Sequence, residues 1–429
     1  MKDPTKPAPP GFSSLTIDDW RQFDSVDIRF HPRFTVLTGA NASGKSTLLG
    51  ILGRHFDWRR SYSSEPSGGS KRSRRRWRTL RRRLDQDYAE GQMGDIGTLT
   101  YGTGIESPIR VPINDSSQDR SEYDLDIPNQ QQVVGVYLTS HRLVSGNYIN
   151  VNEMPTRFTD ANTMFDQFTT EVKRIWMNSA RGQSSPQLTF KKALMSAAFF
   201  GSSESEYIEI NPIARDIWLG YLSILRQVMP SAIDFRSIRV RMPDVIIETQ
   251  TDDFILDEAS GGLSAIMEVA WQIFLRSRVE DRFTVLIDEP ENHLHPSLQR
   301  EIMPSLLRAF PDVQFIVATH SPFVVTSTSE SAVYALEKTN SQRVASRALD
   351  YANKAASADE TLRNVLGVPS TVPKWAEQVF EGIVDRYASQ PLDETRLREL
   401  RNELRTHGLA SGFPDAVIEA TADNPFRTP

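Results

Sequence analysis

The segment "FTVLTGANASGKSTLLGIL", Phe34 to Leu52, constrains the fold more than any other. Five strand-forming residues run into a loop of small residues, a lysine and then a helical pattern. Gly39-Ala40-Asn41-Ala42-Ser43-Gly44-Lys45-Ser46 fits G-x-x-x-x-G-K-[ST]. Small residues let backbone N–H groups converge on phosphate oxygens, and the helix N-terminus adds partial positive charge. The pattern predicts a nucleoside triphosphate site built from Gly39, Asn41, Ser43, Gly44, Lys45, Ser46 and Thr47. Lys45 would reach the β- and γ-phosphate oxygens, and the Ser46 hydroxyl would ligate Mg2+. The bland alternative is a glycine-rich turn with a chance lysine.

Two further strand candidates end in functional side chains. "VLIDEPENHLHP" places Asp288 and Glu289 at the mouth of an apolar run. Asp288 is expected to hold the Mg2+ shell, and Glu289 to polarise an attacking water as a general base. Two solvated acids at a strand end are the alternative. "FIVATHSPFVV" ends a third strand at His320, which suits contact with the γ-phosphate. About thirty residues before Asp288, Ser260-Gly261-Gly262 precedes an amphipathic stretch with Ile266, Val269, Ile273 and Phe274 on one face. That makes a second anion site at a helix start, or simply a capped helix with glycines.

The periodicities divide the 429-residue chain into lobes. Residues 1–14 read as a Pro-rich tail, and 15–140 as a first lobe with the phosphate loop and a basic insertion at 54–84. Residues 141–230 read as a helical lobe, 231–340 as a second α/β lobe, and 341–429 as a C-terminal helical region. Strands alternating with helices imply a mostly parallel sheet, whose ligands sit at the carboxyl ends of strands. There is no cysteine, hence no disulfide or thiolate site, which fits a reducing compartment. The N-terminus lacks a signal-peptide core, and no apolar run approaches the roughly 20 residues of a membrane span, so a cytoplasmic protein with no membrane partner is expected.

The order of these motifs resembles the ATP-binding-cassette ATPases. "IDEPENHLHP" followed by "ATHSP" resembles their AAA-type branch, which includes the ATPase part of overcoming-lysogenisation-defect nucleases and ATPase subunits of bacterial anti-phage systems. The resemblance covers residues from about 15 to 335. It implies an α/β, ABC-type P-loop fold: a mixed or parallel sheet core, an antiparallel β-subdomain, a helical lobe and a C-terminal helical appendage. It also implies a head-to-head dimer or higher homo-oligomer, with ATP and Mg2+ between Lys45 of one copy and Ser260-Gly261-Gly262 of another. Glu289 is then the catalytic base and His320 the switch histidine. Asn292 falls in the segment linking the two sites, while His293 and His295 are structural. The sequence departs from the family at Ala42, where glycine is usual, and at the glutamine loop. Gln130, Gln131 and Gln132 precede the strand "VVGVYL" instead of following it, and Arg142 of "TSHR" occupies the usual place.

The last hundred residues offer no carboxylate set for a Toprim nuclease, so the effector, a nuclease or toxin, is expected on another polypeptide. ATPase subunits of PARIS-type systems fit this best, those of Septu next. A RecF-like DNA-repair ATPase, or an assembly scaffold with little turnover, are the competing functions. Residues 54–83 carry a net charge of +10 within a chain of net −6. If "KRSRRRWRTLRRRL" is helical, Trp77, Leu80 and Leu84 form a stripe and arginines cover the rest. Lys71 to Arg83 then suits nucleic acid or an acidic phage protein, unless it is a solvated insertion.

Overall fold

The computed structural model describes residues 11–67, 76–78, 92–113, 115–116, 122–140, 148–153, 157–176, 185–202, 209–350, 357–368, 373–388 and 393–409. They fall into two compact units: residues 1–361 with 365–367, and residues 362–364 with 368–429.

The first unit is organised by one ten-stranded sheet. Its spatial order is Gly135–Leu138, Thr284–Asp288, Gln314–Thr319, Phe34–Thr38, Ala332–Lys338, Val344–Ala348, Phe23–Arg29, Phe12–Trp20, Met93–Tyr101 and Glu106–Pro112. The first five run parallel. Beyond Phe23–Arg29 the pairing is antiparallel, so the expected antiparallel subdomain is continuous with the parallel core. The central strands are apolar without alternation because both faces are covered. Phe34, Val36, Val285, Ile287, Phe315 and Val317 belong to one buried cluster, and Leu37, Leu286, Ile316 and Ala318 to the other. Each Val, Leu, Ile or Phe among them contributes roughly 1.5–3 kcal/mol on burial.

Helix α1 (Lys45–Gly53) buries its leucines in the second cluster. The first cluster takes α2 (Ala161–Trp176), α3 (Pro186–Gly201), α4 (Pro212–Val228), α5 (Gly261–Ser277) and α6 (Pro296–Ala309). A three-stranded antiparallel sheet, Phe235–Arg241, Asp244–Thr249 and Phe254–Ile255, joins α4 to α5 in sequence. In the second unit, helices Lys374–Ala388 and Glu394–Thr406 pack through Ile383, Val384, Leu400 and Leu404.

Three expectations are corrected. The tail does not extend to residue 14: a strand starts at Phe12, whose N–H and C=O are bonded by the Gln314 amide at 3.0 and 2.8 Å. The second lobe does not end at 340, because that boundary falls in the turn of a hairpin, Ala332–Lys338 and Val344–Ala348, within the main sheet. The second of these strands, Val344–Ala348, mixes polar and apolar residues and so carries no apolar run. Finally, Arg76–Arg78 is a strand, paired with Glu65–Ser67 and Asp115–Ser116, so the helical alternative does not hold at Trp77, while Leu80 and Leu84 lie outside the described residues. The remainder of Lys71–Arg83, and Arg142, lie outside the described residues.

Candidate functional site

Strand register builds the site. Thr38 is paired with Thr319, and Ala318 with Asp288, so three adjacent parallel strands end side by side. The loop after Phe34–Thr38 needs its glycines. Gly39 has φ 140°, and a Cβ there would sit 2.5 Å from the Leu336 carbonyl oxygen. Gly44 has φ 100°, and a Cβ would meet the Phe23 ring at 2.4 Å. Ala42, the departure from the family pattern, adopts φ 63°. That left-handed conformation costs a non-glycine residue roughly 1–2 kcal/mol.

Lys45, 7% exposed, donates from Nζ to the carbonyls of Gly39 at 2.8 Å and Ala40 at 3.0 Å. Burial pushes its pKa below the ordinary lysine value, against the pull of Asp288, Glu289 and Glu291. Asp288 is buried, and that burial raises its carboxyl to about 6, although a hydrogen bond to Ser46 and the charge of Lys45 oppose the shift. The hydroxyl oxygens of Ser43 and Thr38 are shielded from solvent and have no hydrogen-bond partner among the described residues. Buried hydroxyls are seldom left so. They sit in and before a glycine loop at a helix N-terminus, so the residues fit a phosphate ligand.

Among the described residues no group of three or more His, Asp or Glu is placed to hold a metal. Mg2+ in phosphate sites takes one or two protein oxygens plus phosphates and water, and the Ser46–Asp288 pair meets that requirement.

Glu289 has φ 52° and donates its N–H to the Ala318 carbonyl at 2.8 Å. This positive-φ backbone position is sparsely populated for a glutamate and of the kind that clusters at functional sites. Its Oε2 accepts from Asn292 Nδ2 at 2.8 Å, and Asn292 also donates to the Ser140 carbonyl at 3.0 Å. His320 Nδ1 lies 3.5 Å from Glu289 Oε1 and 3.4 Å from Glu291 Oε1. Lys45, Ser46, Asp288, Glu289 and His320 are thus brought to one place, with Asn41 exposed and Thr47 half-buried beside them.

Ser260, Gly261 and Gly262 stand at the start of α5. Exposed Ser260 caps α5, accepting from the Leu263 N–H at 3.4 Å, and Gly262 packs against the His293 carbonyl. Among the described residues no hydrogen bond joins 260–262 to 39–47. Gln130, Gln131 and Gln132 precede the amino end of Gly135–Leu138, the end away from the site. His295 caps α6, a structural role. Sequence reasoning missed Glu291, a buried acid two residues beyond Glu289. The signal was a third carboxylate in "DEPEN" facing the hydroxyl-bearing "ATHS".

The fold is an α/β sheet that carries a phosphate-loop sequence at the start of α1, and two parts of the chain match models of AAA domains. A family model described as "AAA domain, putative AbiEii toxin, Type IV TA system" matches residues 245–326, and one described as "AAA domain" matches 14–76. Among curated proteins, the chain is 25% identical over 171 residues to the Septu protein PtuA of Bacillus thuringiensis, covering 36% of this chain and 43% of that one. It is 47% identical over 49 residues to the Retron Vc95 probable ATPase of Vibrio cholerae serotype O1 biovar El Tor, covering 11% and 10%. Over 53 residues it is 47% identical to the Retron Ec83 probable ATPase of Escherichia coli, covering 12% and 10%. The chain therefore spans less than half the length of these relatives. Among solved structures, the SMC head domain from Thermotoga maritima overlaps 79% of this chain and 99% of its own, at 13% identity and TM-score 0.39. The Pyrococcus furiosus Smc head bound to the C-terminal domain of ScpA overlaps 80% and 96%, at 14% identity and TM-score 0.43. No helix among the described residues is long and apolar enough to cross a membrane.

Proposed function

We propose that the chain binds ATP with Mg2+ and hydrolyses it, in a site completed by a second copy of itself. The observation carrying this reading is the row of Lys45, Ser46–Asp288, Glu289 and His320 at three strand ends, with the unbonded hydroxyls of Ser43 and Thr38 beneath the loop. Lys45 exchanges its loop carbonyls for phosphate oxygens, and the loop N–H groups orient the triphosphate. Ser46 and Asp288 would hold Mg2+, which would supply charge neutralisation to the phosphates. Glu289, steadied by Asn292, accepts the proton of the attacking water, and His320 meets the γ-phosphate. The exposed Ser260 cap is free to close over the nucleotide of the partner copy. In that assembly Asn292 does more than span two sites, since it already holds the base of its own.

The cellular reading is a cytoplasmic ATPase of an anti-phage system, holding and releasing or activating a separate nuclease or toxin. Its support is the likeness to a Septu PtuA protein and to two retron ATPases. Those relatives lend the PARIS-type expectation no separate support. The basic Lys71–Arg83 segment gives nucleic acid or an acidic phage protein as the sensed partner. Ser260→Arg tests the shared site: nucleotide binding to single copies is retained, and ATP-dependent dimerisation on a sizing column is lost. Normal dimerisation of this variant rejects the shared site. Co-purification with the product of the neighbouring gene, with and without ATP, tests the effector.

A further inference from the structure

We propose that Glu291 is a positioning residue of the hydrolytic site, acting through His320. The proposal rests on the reading of His320 as the group that meets the γ-phosphate.

Glu291 lies in the loop between the Thr284–Asp288 strand and α6, and is 5% exposed. A buried carboxylate beside two other acids is costly unless donors compensate it. Its donors are clustered. Oε1 accepts from Thr319 Oγ1 at 2.7 Å, from the His320 N–H at 2.9 Å and from the Ser321 N–H at 3.2 Å. All three belong to the tripeptide that ends the Gln314–Thr319 strand. Two consecutive backbone N–H groups aimed at one oxygen fix the peptide planes on both sides of His320, and so fix the direction of its Cα–Cβ bond. Thr319 Oγ1 accepts from the Ser321 N–H at 2.9 Å, and Ser321 Oγ donates to Gln299 Oε1 at 2.6 Å, so the turn is held from both ends.

The ring that this turn presents stands between two carboxylates. Its Nδ1 is 3.4 Å from Glu291 Oε1 and 3.5 Å from Glu289 Oε1, separations that make the contact electrostatic more than a formed hydrogen bond. Without Glu291 the three donors lose a common acceptor. The His320 backbone then relaxes, and the imidazole loses its fixed approach to the phosphate. Displacement of a positioned group by even ~1 Å can cost on the order of 10²-fold in rate. Lys45 binds its loop carbonyls without help from Glu291, so nucleotide affinity should hardly change.

A double-mutant cycle on the full chain tests this, reading phosphate release from ATP·Mg2+ and equilibrium binding of a fluorescent ATP analogue. Glu291→Ala should lower kcat by roughly 10- to 100-fold while KM and analogue affinity stay within about threefold. The double variant with His320→Ala should be no slower than His320→Ala alone, within about threefold. Should Glu291→Ala fail to fold, Glu291→Asp replaces it. It keeps the charge, draws the oxygen back by about 1.5 Å, and should lower kcat about tenfold with the same non-additivity. Multiplicative losses in the cycle overturn the proposal, as does wild-type kcat in Glu291→Ala or Glu291→Asp. Wild-type kcat in His320→Ala instead overturns the reading of His320 on which the proposal rests.

Discussion

Lys191 on α3 is 1% exposed, a rare burial for a lysine. Its ammonium bonds the Asp257 carboxylate and, at 2.9 Å, the Ile149 carbonyl, while Asp244 Oδ1 lies 3.5 Å away. The Asp257 side chain is 3% exposed and sits three residues before Ser260, whereas that of Asp244 is 27% exposed, although its Oδ1 is shielded from solvent. Lys191→Met retains the unbranched stem and removes the charge. It strands the Asp257 carboxylate in the interior, and removing one partner of a buried pair costs roughly 3–5 kcal/mol. Since the Asp244 side chain is partly exposed, the cost should fall near the lower end, about 3 kcal/mol. Adding Asp257→Leu removes the stranded charge, and the double variant should return to within ~1 kcal/mol of wild type or exceed it. Urea unfolding at pH 7.5, followed by tryptophan fluorescence, reads both differences from midpoints at constant slope. A cost below ~1 kcal/mol for Lys191→Met refutes the reasoning, and so does a double variant less stable than the single.

Glu289→Gln should bind nucleotide normally, release phosphate at least ~10²-fold more slowly, and accumulate as an ATP-dependent dimer on a sizing column. An unchanged rate removes Glu289 from the chemistry. His55, bonded to the Leu52 carbonyl and the Tyr101 hydroxyl at 2.9 Å each, is held at about 4, chiefly by burial and secondarily by Arg54, against the opposing Leu52 bond. The unfolded chain takes up that proton near 6.5, so the stability due to neutral His55 is full above pH 6.5. It is lost as pH falls through about 4, by up to ~3 kcal/mol. His55→Gln should flatten this acid limb in urea titrations at stepped pH. Gly39→Ala, forced toward the Leu336 carbonyl at φ 140°, should cost about 1–3 kcal/mol and weaken nucleotide binding. A variant with wild-type melting and affinity would mean that the loop yields freely.

The placing of Asp288, Glu289 and His320 at strand ends was legible in the sequence because each follows a short apolar run, and such runs are strands in a sheet covered on both faces. Asp288 after "TVLI" and His320 after "QFIVAT" needed no tertiary knowledge to place. What was not legible depended on pairing. The hairpin at 332–348 has half-exposed strands, yet it supplies the Leu336 carbonyl that makes Gly39 obligatory. Phe12 opens a strand because Gln314, more than three hundred residues away, bonds its backbone. Glu291 was not singled out, since nothing local says that three donors from another strand end converge on it.

The serine–diglycine turn shows how a motif residue can answer to two demands. Gly262 packs so closely on the His293 carbonyl that a Cβ would stand 2.8 Å from it. Glycine is therefore required there by packing within one chain, whether or not a phosphate ever approaches. Substituting Gly262 would disturb His293 and Leu294, and through that loop Asn292 and the carboxylate of Glu289 that it holds. A loss of hydrolysis in such a variant would say nothing about a second copy. Ser260 is different: it is exposed, its hydroxyl accepts from the α5 N–H of Leu263 at 3.4 Å and its carbonyl from the Ser264 N–H at 3.0 Å. An arginine at that position adds bulk outward and leaves the loop after Asp288 untouched. The cost of losing the cap is that of an N-cap, about 1 kcal/mol, too small to unfold the unit. Loss of ATP-dependent association in Ser260→Arg, with nucleotide affinity intact, is thus attributable to the surface that a partner copy would meet.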